Sequence, residues 1–136
     1  MNRREQNFIL DAIPTRKLLL LVQQGFPYRI FSRLSAQTGM SPSELATTIE
    51  IPERTLARRR ISGRLGRDES ERLLRLARVV ASSIRLFEGD VDAAITWLKT
   101  PQKALSYDTP LRYARFEIGA REVEDLIGRL EHGVFS

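Results

Sequence analysis

The sequence predicts an all-α protein, and three observations support that fold class. Apolar residues recur at steps of three or four along the chain of 136 residues, which is the spacing of helices. The alternation of apolar and polar residues typical of strands is never sustained. Residues that start and end helices divide the chain into segments of helical length. At 42% hydrophobic residues, the chain can form one ordinary domain or two small lobes that share a core.

The first two predicted helices are bounded by glycine and proline. The first spans Thr15–Gln24 and ends at Gly25, with Pro27 preventing its continuation. The second begins at Tyr28 and ends near Gly39, since glycine suits the left-handed conformation that follows many helices. The residues expected to face inward from this second helix are Ile30, Phe31 and Leu34.

The third and fourth helices predict a helix-turn-helix. Ser41, Pro42 and Glu44 form a strong helix start, with a hydroxyl cap, a first-turn proline and a glutamate that can reach back to the cap. This helix is short and ends near Ile49, and the next spans 52–60, so only a few residues join the two. The apolar residues expected to face each other across the pair are Leu45, Ala46, Ile49, Ile51 and Leu56.

Two residues depart from the usual pattern of such a motif. Glu50 lies where the turn often has glycine, and Arg59 replaces an apolar residue late in the second helix. Both bear on the geometry of the turn, and neither changes the pairing of the helices.

Positive charge concentrates around this motif. Residues 51–85 carry ten basic and four acidic side chains, whereas residues 86–136 carry six and nine. All ten basic residues are arginines, which bind phosphates and guanine edges through a planar fork. The second helix of such a motif enters the major groove of DNA. The candidate DNA-binding residues are Glu53, Arg54, Thr55, Arg58, Arg59 and Arg60. The alternative is that the last three arginines only solvate the helix end.

A long helix is expected after a hinge marked by Gly63 and Gly66. Asp68 and Glu71 repeat the capping arrangement and begin it. Either part of its wide apolar stripe closes a homodimer, or the stripe is buried within its own chain. The stripe consists of Leu73, Leu74, Leu76, Ala77, Val80, Ala81, Ile84 and Phe87.

Three shorter helices complete the prediction. Gly89 ends the long helix and Asp90 caps Val91–Leu98, in which Trp97 is expected to lie beside the core. The next helix begins at Pro110 and continues to Gly119, and the last spans 120–130. The residues expected to be buried here are Ala94, Ile95, Leu98, Val123, Leu126, Ile127 and Leu130.

The residue content argues against an enzyme and against a metal or other cofactor. With no cysteine and one histidine, the chain lacks the parts of zinc fingers, iron–sulfur sites, thiol catalysis and histidine triads. Glu122, Glu124 and Asp125 are acidic neighbours, but they lie early in a predicted helix, where carboxylates favour the helix dipole. No nucleophile with a base and no glycine-rich phosphate loop accompanies them. We therefore expect a binding protein.

No targeting or membrane segment is predicted. The longest unbroken apolar run, residues 18–22, is far shorter than the roughly 20 residues needed to cross a bilayer. Asp11 interrupts the stretch that would have to be the apolar part of a signal peptide. Because the absence of cysteine also fits a reducing compartment, we expect a soluble cytoplasmic protein.

Four segments carry a resemblance that covers nearly the whole chain. They are RTLARRR at 54–60, GRLGRDESERLLRLARVV at 63–80, AAITWLKTPQKAL at 93–105 and IGRLEHGVF at 127–135. Together they resemble the antitoxins of the Xre, MbcA and ParS group, which are partners of RES-domain toxins. Two places depart from that group: Ser106, Tyr107 and Asp108 replace glycines, and Ala114, Arg115 and Phe116 replace a more ordinary pattern. These departures concern the choice of partner.

The resemblance implies a two-part antitoxin of a type II toxin–antitoxin system. Residues 1–66 would form an Xre-like helix-turn-helix domain that binds operator DNA and represses its own operon. Residues 67–136 would form a small helical toxin-binding and dimerisation domain. Paired recognition helices read paired half-sites, so a homodimer is expected within a larger complex. Either the long helix or the N-terminal helix would form its interface.

The implied partner is a RES-domain toxin that consumes NAD or transfers ADP-ribose from it. The antitoxin would block access of NAD to the active site with its C-terminal end. Val134 and Phe135 would fill an apolar slot, or else fold back onto their own chain, while Glu131 or the terminal carboxylate meets arginines. The toxin-contact candidates are Arg129, Glu131, His132, Gly133, Val134, Phe135 and Ser136. The alternative function is a helix-turn-helix repressor without a toxin partner.

Overall fold

The computed structural model describes Leu10 and residues 12–133, and this part of the chain is helical. Eight α-helices and a short 3-10 helix follow one another, and no strand occurs among the described residues, so the all-α prediction is confirmed. The helices are α1 (Thr15–Gln24), α2 (Tyr28–Thr38), α3 (Pro42–Thr48), α4 (Glu53–Ser62), α5 (Arg67–Leu86), α6 (Val91–Leu98), α7 (Pro110–Tyr113) and α8 (Glu117–Glu131). The 3-10 helix, Lys103–Leu105, precedes α7.

The chain forms two compact units, of which the first ends at Leu74 and the second begins at Arg75. In the first unit α3 packs against both α2 and α4. Phe31, Leu34 and Leu45 are fully enclosed in its core, as expected for the inward faces of α2 and α3. By contrast, α1 has no buried residue. The apolar run at 18–22 is therefore exposed or half-buried.

The first two helices have the bounds that the sequence predicts, because their ends are set locally. Gly39 ends α2 at φ 78°, in the left-handed region that favours glycine. The cap of α3 is also confirmed, since the Ser41 hydroxyl accepts a hydrogen bond from the Glu44 N–H at 3.0 Å. α4 continues to Ser62, two residues beyond the predicted end.

The start of α5 differs from the prediction. The helix begins at Arg67, so its cap lies at Gly66, two residues before the predicted Asp68, and the glutamate in the capping position is Glu69 and not Glu71. A Glu69 carboxylate oxygen accepts a hydrogen bond from the Gly66 N–H at 2.7 Å, which is the carboxylate half of a capping box.

The apolar stripe of α5 is buried within the chain. Seven side chains along the helix are enclosed: Leu73, Leu76, Ala77, Val79, Val80, Ala81 and Ile84. Leu74 and Phe87 are half-buried. Burial inside one chain is therefore confirmed for these seven residues, whereas a homodimer contact through the half-buried part of the stripe stays a prediction.

The second unit corrects the predicted division of the last two helices. The helix expected from Pro110 to Gly119 ends at Tyr113, and α8 begins at Glu117. Gly119 lies inside α8 and is buried, where the backbone packs so closely that an added Cβ would overlap the Tyr113 carbonyl oxygen. This glycine serves a close approach and does not end a helix.

The predicted core of the second unit is confirmed except at its end. Ala94, Ile95, Leu98, Val123, Leu126 and Ile127 are buried, whereas Leu130 is half-buried. Asp90 caps α6 by accepting a hydrogen bond from the Ala93 N–H at 3.0 Å. Trp97 is half-buried beside Phe87, with ring centroids 6.3 Å apart. No helix in the described part of the chain is long and apolar enough to cross a membrane.

Candidate functional site

The turn between α3 and α4 brings the helix-turn-helix together. All five apolar residues predicted to face each other across it are buried. Glu50, in the glycine-like position, adopts φ 62° in the left-handed region. Arg72 of α5 supports the turn, since its Nε donates a hydrogen bond to the Ile49 carbonyl at 2.7 Å. The pairing of the two helices is thus confirmed. The left-handed conformation of Glu50 is strained, because Glu50 is not a glycine.

The six candidate DNA-binding residues all lie on α4, but they differ in exposure. Glu53, Arg54, Arg58 and Arg60 are exposed, whereas Thr55 and Arg59 are half-buried. Glu53 accepts a hydrogen bond from the Ser43 hydroxyl of α3, so this carboxylate is part of the contact between the two helices.

Arg59 makes contacts that set it apart from its neighbours. Its Nε and Nη2 donate to the two carboxylate oxygens of Glu69 at 2.9 and 3.0 Å. Glu69 is buried. Burial raises the pKa of this carboxyl, but the hydrogen bonds from Arg59 and from the Gly66 N–H bring the pKa below its ordinary value. The two N–H groups of Arg59 that could bind a phosphate therefore already donate to Glu69.

Arg58 and Arg60 are directed outward with weaker contacts. Arg58 Nη2 lies 3.4 Å from the Thr55 hydroxyl on the same helix. The Arg60 guanidinium lies 5.9 Å from the centre of the Tyr28 ring, and its Nε donates to the Tyr28 hydroxyl at 3.4 Å. These are contacts that an exposed arginine can exchange for a phosphate at little cost.

The net positive charge lies in one of the two units and not in the other. Residues 12–74 carry eleven basic and six acidic side chains, and residues 75–133 carry nine of each. The net charge of the chain, +5, is therefore present in the part that contains the helix-turn-helix. A concentration of positive charge of this kind favours a polyanion as ligand.

The candidate toxin contacts lie at the end of α8. Arg129, Glu131, His132 and Gly133 are all exposed. The His132 Nδ1 donates to the Gly128 carbonyl at 2.7 Å and so satisfies one of the last carbonyls of the helix. Val134, Phe135 and Ser136 lie outside the described residues. Whether Val134 and Phe135 enter a slot of the toxin or fold back onto their own chain therefore stays a prediction.

An ion-pair network at the start of α8 was not foreseen from the sequence. Arg75 and Arg78 of α5 contact the two carboxylate oxygens of Glu117 at 3.3 and 3.4 Å. Arg75 Nη1 also donates to the Arg115 carbonyl at 2.8 Å. Burial raises the pKa of Glu117, but the charges and hydrogen bonds of Arg78 and Arg75 lower it overall. The sequence shows these arginines only as residues off the apolar stripe, because their partner lies about forty positions away.

A second feature missed from the sequence is an apolar surface at the same junction. Phe116 and Ile118 are 65% and 81% exposed. They line an open cleft of about 370 Å³ together with Arg112, Tyr113 and Glu122. The sequence does not predict this cleft, because the predicted helix from Pro110 to Gly119 has no break between α7 and α8.

The chain matches two family models in succession. Residues 17–78 match the Antitoxin Xre-like helix-turn-helix domain. Residues 82–133 match the Antitoxin Xre/MbcA/ParS C-terminal toxin-binding domain. Neither model describes a catalytic domain.

Two curated relatives are each named Antitoxin Xre. One, from Yersinia enterocolitica serotype O:8 / biotype 1B, is 42% identical over 116 residues, which cover 85% of this chain and 78% of the relative. The other, from Photorhabdus laumondii subsp. laumondii, is 34% identical over 117 residues, which cover 85% of this chain and 79% of the relative. The chain therefore belongs to the Xre antitoxin family, with a helix-turn-helix domain followed by a C-terminal toxin-binding domain.

Proposed function

We propose that the chain neutralises a RES-domain toxin by occluding its NAD-binding site, and that it represses its own operon by binding operator DNA. The observation that carries the first part is the end of α8. The match to the toxin-binding domain extends to residue 133, and the side chains of Arg129, Glu131 and His132 are exposed there. An exposed helix end of mixed polarity is a surface that a partner can cover.

The chemistry of the proposed occlusion follows from the residues at this end. Glu131 supplies a carboxylate that can meet arginines of a site built for the phosphates of NAD. Val134 and Phe135 supply apolar area for a neighbouring slot. Together they would occupy the space of a dinucleotide without reacting.

Co-expression with the product of the adjacent gene tests this part of the proposal. We expect a stable complex in which the NAD-consuming activity of the partner is lost. If the chain stays alone yet binds its own promoter, the plain repressor function replaces the antitoxin proposal. If a complex forms in which NAD is consumed at the full rate, occlusion is wrong.

The operator part of the proposal rests on α4. Arg54, Arg58 and Arg60 are exposed on the second helix of the motif, the helix that enters the major groove in such proteins. A homodimer would present two such helices to paired half-sites. This proposed function includes the cytoplasm as the location, because a repressor must reach the DNA of its own operon.

Arg58→Ala tests the operator contact. Loss of one phosphate contact should weaken DNA binding and reduce the slope of log K against log salt by about one unit. The measurement is fluorescence anisotropy with promoter DNA at several salt concentrations. Arg85→Ala is the matched control, because it removes the same charge from an exposed site in the second unit. An Arg58→Ala slope equal to that of the wild type would place the DNA surface elsewhere.

A further inference from the structure

The junction of α7 and α8 presents apolar side chains that no function described so far uses. Phe116 and Ile118 are among the large apolar residues of the described chain that are more than half exposed. They lie two positions apart and border one open cleft, which we name the α7–α8 cleft, with Tyr113 and Glu122 on its wall. Clustered apolar exposure rimmed by polar residues is typical of an interaction site.

The backbone holds these two side chains outward in a fixed framework. Glu117, which lies between them, is held by Arg75 and Arg78. The Arg115 carbonyl is held by Arg75 Nη1. Gly119 packs its Cα against the Tyr113 carbonyl, where a larger residue would not fit. A surface that is already ordered loses little conformational entropy on binding, which favours a specific partner.

The charges around the cleft indicate an apolar ligand. The charged side chains that line the cleft balance, since Arg112 and Arg115 are matched in number by Asp108 and Glu122. Arg112 pairs with Asp108 at 3.2 Å, and the Arg115 guanidinium lies 5.6 Å from the centre of the Phe116 ring. The unit that holds the cleft carries equal numbers of basic and acidic residues between 75 and 133. Such a rim attracts neither nucleic acid nor a phosphate group. It fits an apolar side chain of another protein.

The position of the cleft in the chain favours the toxin as that protein. All the residues that line it lie within 82–133, the match to the toxin-binding domain. The residues 134–136 span at most about 10 Å when extended. Ile118 and His132 are fourteen positions apart, which is about 20 Å along a helix. These three residues therefore cannot fill the cleft.

We propose that the toxin inserts an apolar side chain into the α7–α8 cleft, against Phe116 and Ile118, as a second contact besides the C-terminal residues. This proposal rests on the proposed function, because the protein that would occupy the cleft is the toxin. The two contacts lie about 20 Å apart along α8. Changes at the two should therefore have additive effects on the free energy of binding.

Two substitutions test the cleft without weakening the fold. Phe116 occupies the N-cap position of α8 and makes no side-chain capping bond, so Phe116→Ser removes the ring and supplies a preferred cap. Ile118→Glu places a carboxylate in the first turn of α8, where it suits the helix dipole, and a charge in the apolar cleft. Each variant should keep the helical circular dichroism of the wild type.

The measurement is the Kd for the purified product of the adjacent gene, by isothermal titration calorimetry. We expect each variant to bind about 30-fold more weakly than the wild type. Ile61→Ser is the matched control, since Ile61 is 88% exposed but lies outside the toxin-binding match. This control should bind like the wild type.

The outcomes separate this proposal from the proposed function. If the wild type does not bind the partner, the antitoxin proposal fails and the cleft proposal fails with it. If the wild type binds and both variants bind equally well, only the cleft proposal is overturned. If the variants instead change the sedimentation of the chain alone from dimer to monomer, the occupant is a second copy of this chain and not the toxin.

Discussion

At the scale of single residues, the two departures from the helix-turn-helix pattern turn out to have structural partners. Glu50 adopts a left-handed conformation that costs a non-glycine residue about 1 kcal/mol. Arg72 offsets this cost by holding the Ile49 carbonyl. Arg59 replaces an apolar residue because its fork binds Glu69. The sequence shows the anomalies but not their partners, since Glu69 lies 10 positions from Arg59 and Arg72 lies 22 positions from Glu50.

Arg59→Ala should destabilise the fold much more than Arg58→Ala. Removal of the Arg59 fork leaves the buried Glu69 with a single capping bond, and an unpaired buried carboxylate costs about 1–3 kcal/mol. Arg58 is exposed, so its loss should change the free energy of unfolding by less than about 0.5 kcal/mol. Urea denaturation of both variants measures the difference. Equal stabilities would mean that the Arg59–Glu69 pair is only a surface contact.

Glu69 should also make the stability of the chain depend on pH. Its pKa in the folded chain is lowered on balance, so folding favours the charged carboxylate. This stabilisation is fully present above the ordinary glutamate pKa, about 4.3, and is lost as the pH falls through the lowered pKa. Glu69→Gln should therefore be less stable than the wild type at pH 7, by an amount that shrinks toward pH 3. A difference that stays constant from pH 7 to pH 3 contradicts this assignment.

At the scale of elements, α8 shows where reasoning from sequence succeeds and where it does not. Its inward face was predicted because Val123, Leu126 and Ile127 follow helical spacing. Its start lies three residues before the position that the sequence predicts, because Gly119 resembles a glycine that ends a helix. Glycine at a helix end and glycine at a close approach look alike in sequence. Only the Tyr113 carbonyl against Gly119 distinguishes them.

The two glycines of α8 should respond oppositely to alanine. Gly119→Ala would force a Cβ onto the Tyr113 carbonyl, and we expect a loss of about 2–3 kcal/mol in the free energy of unfolding. Gly128→Ala meets no atom within 4 Å and should add about 0.5–1 kcal/mol, because alanine restricts the unfolded chain. Thermal and urea denaturation of the pair test this. A tolerated Gly119→Ala would mean that α7 and α8 can separate without cost.

At the scale of the whole molecule, local signals predicted more than long-range ones. The caps, glycines and apolar spacing between Thr15 and Ser62 are local, and α1 to α4 follow them closely. The contacts of Glu69 and Glu117 and the exposure of Phe116 depend on tertiary partners, which a single sequence does not display. The sequence therefore predicts the helix that carries the candidate DNA-binding residues. Only the structure shows that Arg59 binds Glu69 while Arg58 and Arg60 are exposed.

The proposed functions should be separable, because their residues lie in different units of the chain. A chain that ends after Leu130 lacks all the toxin-contact candidates except Arg129 but keeps α4 and the positive charge of residues 12–74. It should bind promoter DNA with nearly the affinity of the wild type, while inhibition of the partner's NAD consumption is lost. Arg58→Ala should do the reverse, with weaker DNA binding and full inhibition. Both readouts are needed on both variants, along with urea denaturation to show that the truncated chain is folded. A folded truncated chain that still inhibits as strongly as the wild type would exclude the C-terminal residues from the toxin's active site.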